Sequence, residues 1–394
     1  MVFTTALGLR SGLLLVCCSP VSTEALAEVW TVRRVLLWTQ QRFAQSGLHS
    51  PRLDAEILLS HSLGKSRVGL YTSFEQPLVD QELSDFKALI RRRLAGEPVA
   101  YLTGQREFYS LPLHVTPAVL IPRPETELLV EEALRLIDAA KAPPPPGHAA
   151  APVVIEIGDE SEPEDDLPRG EVQSAAVPGL PVTVLYDPEP TLSSDPAVTE
   201  PSSVAESVAV AVSAERISPS LTVVDVGTGS GAIALAVKHE RPSIRMIAVD
   251  RSPEALEIAK RNAATLQLEI EFRQGDLLSV LGPDESPDLV LANLPYIPTA
   301  EIAGLAKDVQ SEPRMALDGG ADGLALVERL VAMTPGRLRP GGSILLEFGA
   351  GQSTSVEQLL RSAGFADVHS LRDLAGIERV VCGRLPTDDS RRVE

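Results

Sequence analysis

The residues best suited to hold a small ligand form a glycine-rich turn, Gly227-Thr-Gly-Ser-Gly231. The turn follows an apolar, β-branched run, Leu221–Val226, which predicts a buried parallel strand, and it precedes a helical run, Ala232–His239. Glycines between a strand and a helix let the backbone approach a ligand closely and point the amides of the helix N-terminus at it. Glycine-rich turns also serve as tight corners, so the turn needs support from its surroundings.

An acidic residue supplies that support. The run Arg245–Val249 predicts a second strand, and Asp250 stands at its tip about twenty residues after the turn. A carboxylate there is placed to accept hydrogen bonds from both hydroxyls of a ribose. A dinucleotide such as NAD would favour the spacing G-x-G-x-x-G. The observed spacing is G-x-G-x-G, preceded by Asp225, and it favours a nucleoside with a charged amino-acid tail, S-adenosylmethionine, over NAD.

The segments around the turn alternate between strand and helix patterns. After Asp250 come a helical run, Pro253–Leu266, a strand, Ile270–Gln274, followed by Asp276, and a further strand, Asp288–Leu291. This alternation predicts a doubly wound α/β sheet whose ligand lies across the carboxyl ends of the strands.

The N-terminal part predicts a different architecture. Apolar residues recur at helical spacing over Thr23–Gly96, with Pro51 and Pro77 where helices would begin, which predicts a small helical bundle. Near alternation of apolar residues over Val99–Pro124 predicts a hairpin-like connector, and Glu125–Ala140 returns to a helical pattern.

The fourth predicted strand ends in Asn293-Leu-Pro-Tyr296, and here the sequence resembles a known family. It is similar to the protein-(glutamine-N5) methyltransferases that act on bacterial peptide chain release factors, which carry Asn-Pro-Pro-Tyr at this place. The resemblance covers almost all of the chain outside residues 1–20 and 143–220. Its other motifs follow in order: Arg52-Leu-Asp-Ala-Glu56, Gly96-Glu-Pro-Val-Ala-Tyr-Leu-Thr-Gly104, Phe108, Ile121-Pro-Arg-Pro-Glu-Thr-Glu127, the Asp225–Gly231 turn, Glu312-Pro-Arg314 with Gly319-Gly320, and Asp373 with Glu378-Arg-Val380.

The resemblance implies a Rossmann-like class I S-adenosylmethionine-dependent methyltransferase with an N-terminal helical bundle domain. It implies transfer of a methyl group to the side-chain amide nitrogen (N5) of the glutamine in the Gly-Gly-Gln motif of release factors. The turn would wrap the methionine end of the cofactor, Asp250 the ribose, and Asp276 with Leu277 the adenine edge. The implied cofactor-binding residues are Gly227, Thr228, Gly229, Ser230, Gly231, Asp250, Asp276, Leu277 and Asn293; the implied catalytic and substrate-binding residues are Asn293, Leu294, Pro295 and Tyr296, with Phe108 and Arg123 lining the site.

Asn293 and its neighbours suit the methylation of an amide. A carboxamide nitrogen is a poor nucleophile because its lone pair is delocalised, so orientation matters more than a strong base. We expect the Oδ1 atom of Asn293 and the carbonyl of Leu294 to accept hydrogen bonds from the two N–H groups of the substrate amide. Tyr296 would form an aromatic wall beside that amide. Both hydrogen bonds strengthen as positive charge develops on the nitrogen. No general base is evident.

Leu294 departs from the family pattern, in which proline is usual. The carbonyl that the chemistry needs belongs to any residue, so we expect activity to remain. What is lost is the fixed φ of proline, and an N–H group is added.

Three other functions stay open. An adenine-N6 nucleic-acid methyltransferase must likewise orient a poorly nucleophilic NH₂ group, in that case on a flipped-out base. The chain, however, lacks a basic recognition domain. A relative within the same family methylates a glutamine of a ribosomal protein. A non-catalytic binding module is suggested only by Leu294.

The charge of the chain is unevenly distributed. Of the net charge of −19, residues 143–220 carry −12, with 14 of the 32 prolines and only Arg169 and Arg216 as basic residues. Such a composition cannot bury enough apolar surface to offset its ordering entropy, so we expect a disordered acidic insertion. The acidic balance and the lack of a membrane-length apolar run favour a cytoplasmic protein that binds neither nucleic acid nor membrane directly. The three cysteines and the histidine spacing suggest no metal site.

These patterns predict the following domain organisation: residues 1–21 as an extension ahead of the true start, 22–98 as a helical substrate-recognition domain, 99–124 as the connector, 125–384 as the methyltransferase domain interrupted by 143–220, and 385–394 as a tail.

Overall fold

The computed structural model describes residues 29–141 and 221–387. The expected N-terminal extension, the expected acidic insertion and residues 388–394 of the expected tail lie outside the described residues. Within the described ranges, no helix is long and apolar enough to cross a membrane.

Four helices form the N-terminal bundle: α1 (Val32–Gln45), α2 (Pro51–Leu63), α3 (Arg67–Thr72) and α4 (Asp80–Leu94). As predicted, Pro51 opens α2, and the left-handed Gly64 caps its end. The expected helix start at Pro77 is wrong. Pro77 pairs with Thr31 in an isolated bridge, and α4 begins only at Asp80, where the Glu82 carboxylate accepts the N–H of Val79 at 2.9 Å.

The interior of the bundle is mainly apolar, and it also contains ion-paired carboxylates of α2, Asp54 and Glu56. Phe43, Leu58 and Phe86 are almost completely buried, and each such side chain contributes about 1.5–3 kcal/mol. The Arg93 guanidinium of α4 donates to the Asp54 carboxylate of α2 at 2.8 Å, which ties these two helices together.

The connector contains the predicted hairpin, although it starts as a helix. Helix α5 (Val99–Thr103) ends at the left-handed Gly104, and the strands β1 (Gln105–Phe108) and β2 (Leu111–His114) follow. Tyr109 and Ser110 have φ values of 49° and 60°, as a two-residue turn between antiparallel strands requires.

The rest of the described chain forms one seven-stranded sheet with helices on both faces. After a 3₁₀ turn at Pro124–Thr126, the elements are α6 (Glu127–Lys141), β3 (Thr222–Val226), α7 (Ala232–Glu240), β4 (Arg245–Asp250), α8 (Pro253–Leu266), β5 (Glu271–Gln274), β6 (Leu289–Asn293), α9 (Lys307–Gln310), α10 (Arg314–Leu317), α11 (Ala325–Met333), β7 (Ser343–Glu347), α12 (Ser353–Ser362), β8 (Ala366–Arg372) and β9 (Glu378–Arg384).

The strand order is β5-β4-β3-β6-β7-β9-β8, and β9 runs antiparallel to both of its neighbours while the other paired strands are parallel. Each face of the sheet carries its own core. Val223 belongs to the core under α6 and α7, and Val224 to the core under α11 and α12, because successive side chains of a strand point to opposite faces.

The strand order reverses between β3 and β6. The chain proceeds outward through β4 and β5 on one side of β3, then returns to place β6 on its other side. Ligands of open α/β sheets bind at such a switch point, outside the carboxyl ends of the strands. The glycine-rich turn follows β3 and Asn293 ends β6, so the fold brings the two predicted motifs to the same edge.

Candidate active site

A pocket among the described residues opens at this switch point. Its walls come from the carboxyl ends of β3, β4, β5 and β6, from the extended segment before α6, and from the loop around α10. The sequence-predicted residues that line it are Arg123, Gly227, Thr228, Gly229, Ser230, Asp250, Asp276, Leu277, Asn293, Leu294 and Pro295.

The glycine-rich turn forms one wall, and two of its glycines have positive φ values, which other residues rarely adopt. Gly227 has a φ of 76°, and a Cβ atom there would lie 2.9 Å from Cδ2 of Leu294. Gly229 has a φ of 56° and faces open space. The turn is fixed because the Val249 carbonyl accepts the N–H groups of Gly227 and Thr228 at 2.8 and 3.0 Å. The result is a backbone cradle of the kind that a close-lying ligand needs.

Asp225 supports this cradle from below and does not line the pocket. Its buried carboxylate accepts from the Thr228 hydroxyl at 2.6 Å and from the N–H of Ala234 in α7 at 3.2 Å. Burial raises the pKa of Asp225 to about 7, and its hydrogen bonds oppose that rise.

Asp250 stands at the end of β4, as predicted, and faces the pocket. One carboxylate oxygen accepts the N–H of Gly229 at 2.8 Å and the other that of Ser252 at 2.9 Å. A carboxylate oxygen has two lone pairs, so each retains capacity for a ribose hydroxyl. Burial raises the pKa of Asp250 above its ordinary value.

Asp276 and Leu277 close the far end of the pocket after β5. The Asp276 carboxylate pairs with Arg329 of α11. Leu277 is buried and has a φ of 51°, an uncommon conformation for a leucine, which directs its backbone into the pocket wall.

Asn293 ends β6, and its amide has a defined partner. The Nδ2 atom of Asn293 donates to the Oγ1 atom of Thr126 at 3.1 Å, in the 3₁₀ turn before α6. The Oδ1 atom is therefore the part of this side chain left to accept a hydrogen bond. Leu294 is buried against the glycine-rich turn.

Three predicted residues do not line the pocket. Phe108 was expected to line the site. It is instead buried in the core under α6, where it packs between the hairpin and the sheet. Gly231 caps the start of α7 and lies behind the turn. Tyr296 lies beside the pocket, where the Gln352 amide donates to its carbonyl at 3.0 Å and burial raises the pKa of its hydroxyl to about 12.

Arg123 does line the pocket, and it also carries an ion pair. It pairs with Glu312, a buried residue whose other oxygen accepts the N–H of Ile121 at 3.0 Å. The Glu312-Pro-Arg314 motif thereby fastens the segment before α6 to the loop that carries Met315 at the pocket rim.

Two polar residues beside Asn293 were not predicted as site residues. Thr126 lies within the matched Ile121–Glu127 run, and Glu347 ends β7 next to Asn293 in the sheet. An acidic residue after the apolar run Ile344–Leu346 was the available signal, because the carboxyl ends of neighbouring parallel strands meet at one edge.

Cys382 has two potential metal-ligating neighbours in the fold, although the sequence analysis suggested no metal site. It pairs with His369 across β8 and β9, and one ligand atom each from these residues and Glu132 lie within 4.8 Å of one another. The Glu132 carboxylate is already bound by Arg135, and burial raises the pKa of the Cys382 thiol to about 12, so the trio is poorly prepared for a cation.

The pocket fits the cofactor that its motifs imply. A cradle without side chains at Gly227 and Gly229 suits the amino-acid tail, and Asp250 suits the ribose. Apolar residues, Leu277 and Leu326 among them, line the pocket and suit a purine ring.

Comparison with known proteins agrees with this architecture. A family model described as "PrmC N-terminal domain" matches residues 34–104, and one described as "Methyltransferase domain" matches residues 223–311. Fold, pocket and these matches define the class: the chain is a Rossmann-like, S-adenosylmethionine-dependent methyltransferase.

Full-length relatives identify the family within that class. The release factor glutamine methyltransferase of Geobacter sulfurreducens is 35% identical over 359 residues, covering 91% of this chain and 98% of its own length. That of Rhodopirellula baltica is 35% identical, covering 89% and 95%, and that of Burkholderia pseudomallei is 36% identical, covering 85% and 92%. The chain belongs to the release factor glutamine methyltransferase family.

Proposed function

We propose that this protein transfers the methyl group of S-adenosylmethionine to the side-chain amide nitrogen (N5) of the glutamine in the Gly-Gly-Gln motif of peptide chain release factors. The observation that carries the proposal is Asn293, whose Nδ2 atom is held by Thr126. Its Oδ1 atom is thus left as an acceptor in the pocket that also contains the glycine-rich turn and Asp250. Family membership supports the same conclusion.

The chain's own residues orient the substrate. The Oδ1 atom of Asn293 accepts one N–H of the substrate amide, and the Leu294 carbonyl accepts the other, so the nitrogen lone pair faces the methyl group. S-adenosylmethionine supplies that methyl group on a positively charged sulfur, which makes it an activated donor. The substrate nitrogen forms a bond to the methyl carbon, the carbon–sulfur bond breaks with its electron pair on sulfur, and the nitrogen releases a proton.

These two acceptors accelerate the reaction because their hydrogen bonds strengthen in the transition state. The amide nitrogen gains positive charge as it attacks, and an oxygen acceptor on each N–H stabilises that charge more than it stabilises the neutral amide. Leu294 contributes through its main chain, so the substitution of leucine for proline leaves this acceptor in place.

We assign substrate recognition to the helical domain, residues 22–98. Its support is a chain of contacts that leads from the bundle to the pocket. Arg93 of α4 lies 3.6 Å from Asp308 of α9, and the Ser311 hydroxyl lies 3.5 Å from the Gly96 carbonyl. Glu312 follows directly and binds Arg123 at the pocket. We place the activity in the cytoplasm, where release factors act, with a protein substrate and no direct contact with nucleic acid or membrane.

A transfer assay tests the proposal. The protein is incubated with S-adenosylmethionine labelled in the methyl group and with a release factor, beside a release factor whose Gly-Gly-Gln glutamine is replaced by alanine. We expect label only on the unmodified factor, at that glutamine. Label that persists on the alanine form, or that appears instead on a ribosomal protein or on adenine in nucleic acid, would contradict the proposal.

The variant Asn293→Ala tests the site. We expect kcat to fall by about 10²–10³, as for loss of one oriented hydrogen-bonding group in a transition state. Cofactor affinity, measured by calorimetry, should change little, because the glycine-rich turn and Asp250 remain. If Asn293→Ala abolished cofactor binding instead, Asn293 would be a cofactor residue and not a catalytic one.

A further inference from the structure

Glu347 is a buried carboxylate beside the catalytic asparagine. It ends β7 and pairs directly with Asn293, the last residue of β6, in the parallel register of the two strands. Its side chain is 2% exposed, and its Oε2 atom has no hydrogen-bond partner among the described residues. An unsatisfied buried carboxylate oxygen costs free energy, so its place next to a catalytic amide calls for a physical reason.

Thr126 completes a polar triad with these two residues. It accepts the Nδ2 hydrogen of Asn293 at 3.1 Å. The strand pairing sets Asn293 beside Glu347, and the polar groups of Thr126 and Asn293 favour the ionised form of the Glu347 carboxyl. The three side chains come from three elements, the turn before α6, β6 and β7, so only the folded sheet brings them together.

Charged groups around the triad balance the ionisation of Glu347. Burial, with Glu125 from the turn before α6, raises the pKa of Glu347, while Arg379 of β9 and the polar groups of Thr126 and Asn293 lower it. The outcome is a pKa of about 7. Tyr296, whose hydroxyl has a pKa near 12, stays neutral across this range.

The protonation state of Glu347 decides which way the Asn293 amide can point. An ionised carboxylate only accepts hydrogen bonds, so it holds the NH₂ group of Asn293 toward itself and Thr126 and leaves Oδ1 facing the pocket. A protonated carboxyl can donate, and it then favours the flipped amide, with Oδ1 toward Glu347. The NH₂ group of Asn293 would then meet the NH₂ group of the substrate, and two donors cannot form a hydrogen bond.

We propose that Glu347 is a positioning residue for the proposed methyl transfer, which orients the Asn293 amide together with Thr126 so that Oδ1 faces the substrate. The inference rests on the proposed function and adds a requirement to it: the reaction needs ionised Glu347. The activity of the wild-type enzyme therefore rises as the pH increases through about 7.

The kinetic test compares Glu347→Gln with the wild-type enzyme from pH 5.5 to 9, a range of about two pH units around that titration. We expect kcat of Glu347→Gln to fall by about tenfold to hundredfold, because the Asn293 amide would no longer be held in the orientation that the reaction needs. The rise near pH 7 should disappear, and KM for the release factor should change little. Glu132→Gln is the control, because it also neutralises a buried carboxylate but lies on α6 outside the pocket. It should keep the wild-type pH profile.

Thr126 offers a second, independent arm. Thr126→Val removes the hydroxyl without changing the shape of the side chain and should lower kcat, whereas Thr126→Ser keeps the hydroxyl and should restore it. A role limited to packing predicts the reverse order, because valine fills the space better than serine does.

Thermal unfolding without cofactor gives a readout that does not depend on turnover. The folded-state pKa of Glu347 lies above its ordinary value, so ionisation destabilises the fold, and this penalty grows as the pH rises from about 4.5 through about 7. The melting temperature of the wild-type protein should therefore fall relative to that of Glu347→Gln across this window.

The outcomes are distinguishable. Failure of the wild-type enzyme to label the Gly-Gly-Gln glutamine at any pH contradicts the proposed function itself. If the wild-type enzyme labels it while Glu347→Gln keeps both the rate and the rise near pH 7, the positioning role is overturned and the proposed function stands.

Discussion

At the scale of single residues, Leu294 packs the segment proposed to be catalytic, Asn293–Tyr296, against the glycine-rich turn. Its side chain is buried, and its Cδ2 atom lies 2.9 Å from the position that a Cβ atom on Gly227 would take.

Leu294→Ala should show how the Leu294 side chain contributes to the stability of the fold and to the shape of the glycine-rich turn. Removing the buried side chain should lower the free energy of unfolding by about 2–5 kcal/mol, since the cavity can collapse only in part. It should also weaken cofactor binding, because Gly227 loses the neighbour that shapes the turn. Denaturant unfolding and calorimetry measure the two quantities. Leu294→Met is the matched control and should cost less than about 1.5 kcal/mol, because it conserves volume. Equal losses in the two variants would show that packing at 294 does not shape the turn.

At the scale of elements, the loop after β6 is held by a second loop, residues 317–323. The Leu317 carbonyl accepts the N–H of Ile297 at 3.1 Å, and the Ile297 carbonyl accepts that of Gly319 at 2.9 Å. Gly323 approaches so closely that a Cβ atom there would lie 2.2 Å from the Tyr296 carbonyl oxygen. The catalytic segment is therefore clamped through its main chain.

Gly323→Ala should break this clamp. The residue has a φ of 82°, so alanine costs about 1 kcal/mol in backbone conformation alone, and the clash with Tyr296 adds to that. We expect a lower melting temperature and a lower kcat, because Pro295 and Tyr296 must shift. Gly376→Ala is the matched control: its φ is 78°, but nothing lies within 4 Å of the added Cβ atom. A kcat reduced equally in both variants would rule out the clamp.

At the scale of the whole molecule, a series of side-chain contacts connects the helical bundle to the pocket in the sheet domain. It runs from Arg93 through α9 to Glu312 and Arg123. The described residues that flank the segment 143–220 lie elsewhere in the sheet domain. The end of α6 and Leu221 before β3 line one cavity at the opposite, amino-terminal side of β3, away from the residues proposed for catalysis.

Replacing residues 143–220 by a short glycine-serine linker should therefore preserve the enzyme. The chain leaves and re-enters the fold at neighbouring points, Ala140 and Leu221, so a flexible linker of about ten residues suffices. We expect unchanged cofactor affinity and kcat within about twofold, less than 1 kcal/mol of barrier. The net charge would rise from −19 to −7 because the replaced segment carries −12. A large loss of kcat with intact cofactor binding would assign the segment a role in substrate binding.

Local sequence patterns determined much of this protein. A β-branched run before glycines and an acidic residue at the next strand tip predicted the sheet and the cofactor class, and the Asn-Leu-Pro-Tyr motif pointed to the asparagine that ends β6 in the pocket, because each depends on residues adjacent along the chain. Boundaries that depend on distant partners were less predictable. Pro77 failed as a helix start because it pairs with Thr31, and Phe108 lies in a hydrophobic core and not in the pocket lining.

Only the tertiary structure decided what surrounds Asn293. Glu347 and Asn293 are 54 positions apart, and Thr126 precedes both across the segment 143–220, so no local pattern joins them. The parallel pairing of β6 with β7 places the carboxylate beside the amide, and burial by the packed helices raises its pKa. Sequence determined which groups could do the chemistry; strand pairing and burial determined which of them meet and in what protonation state, because both depend on contacts between distant segments.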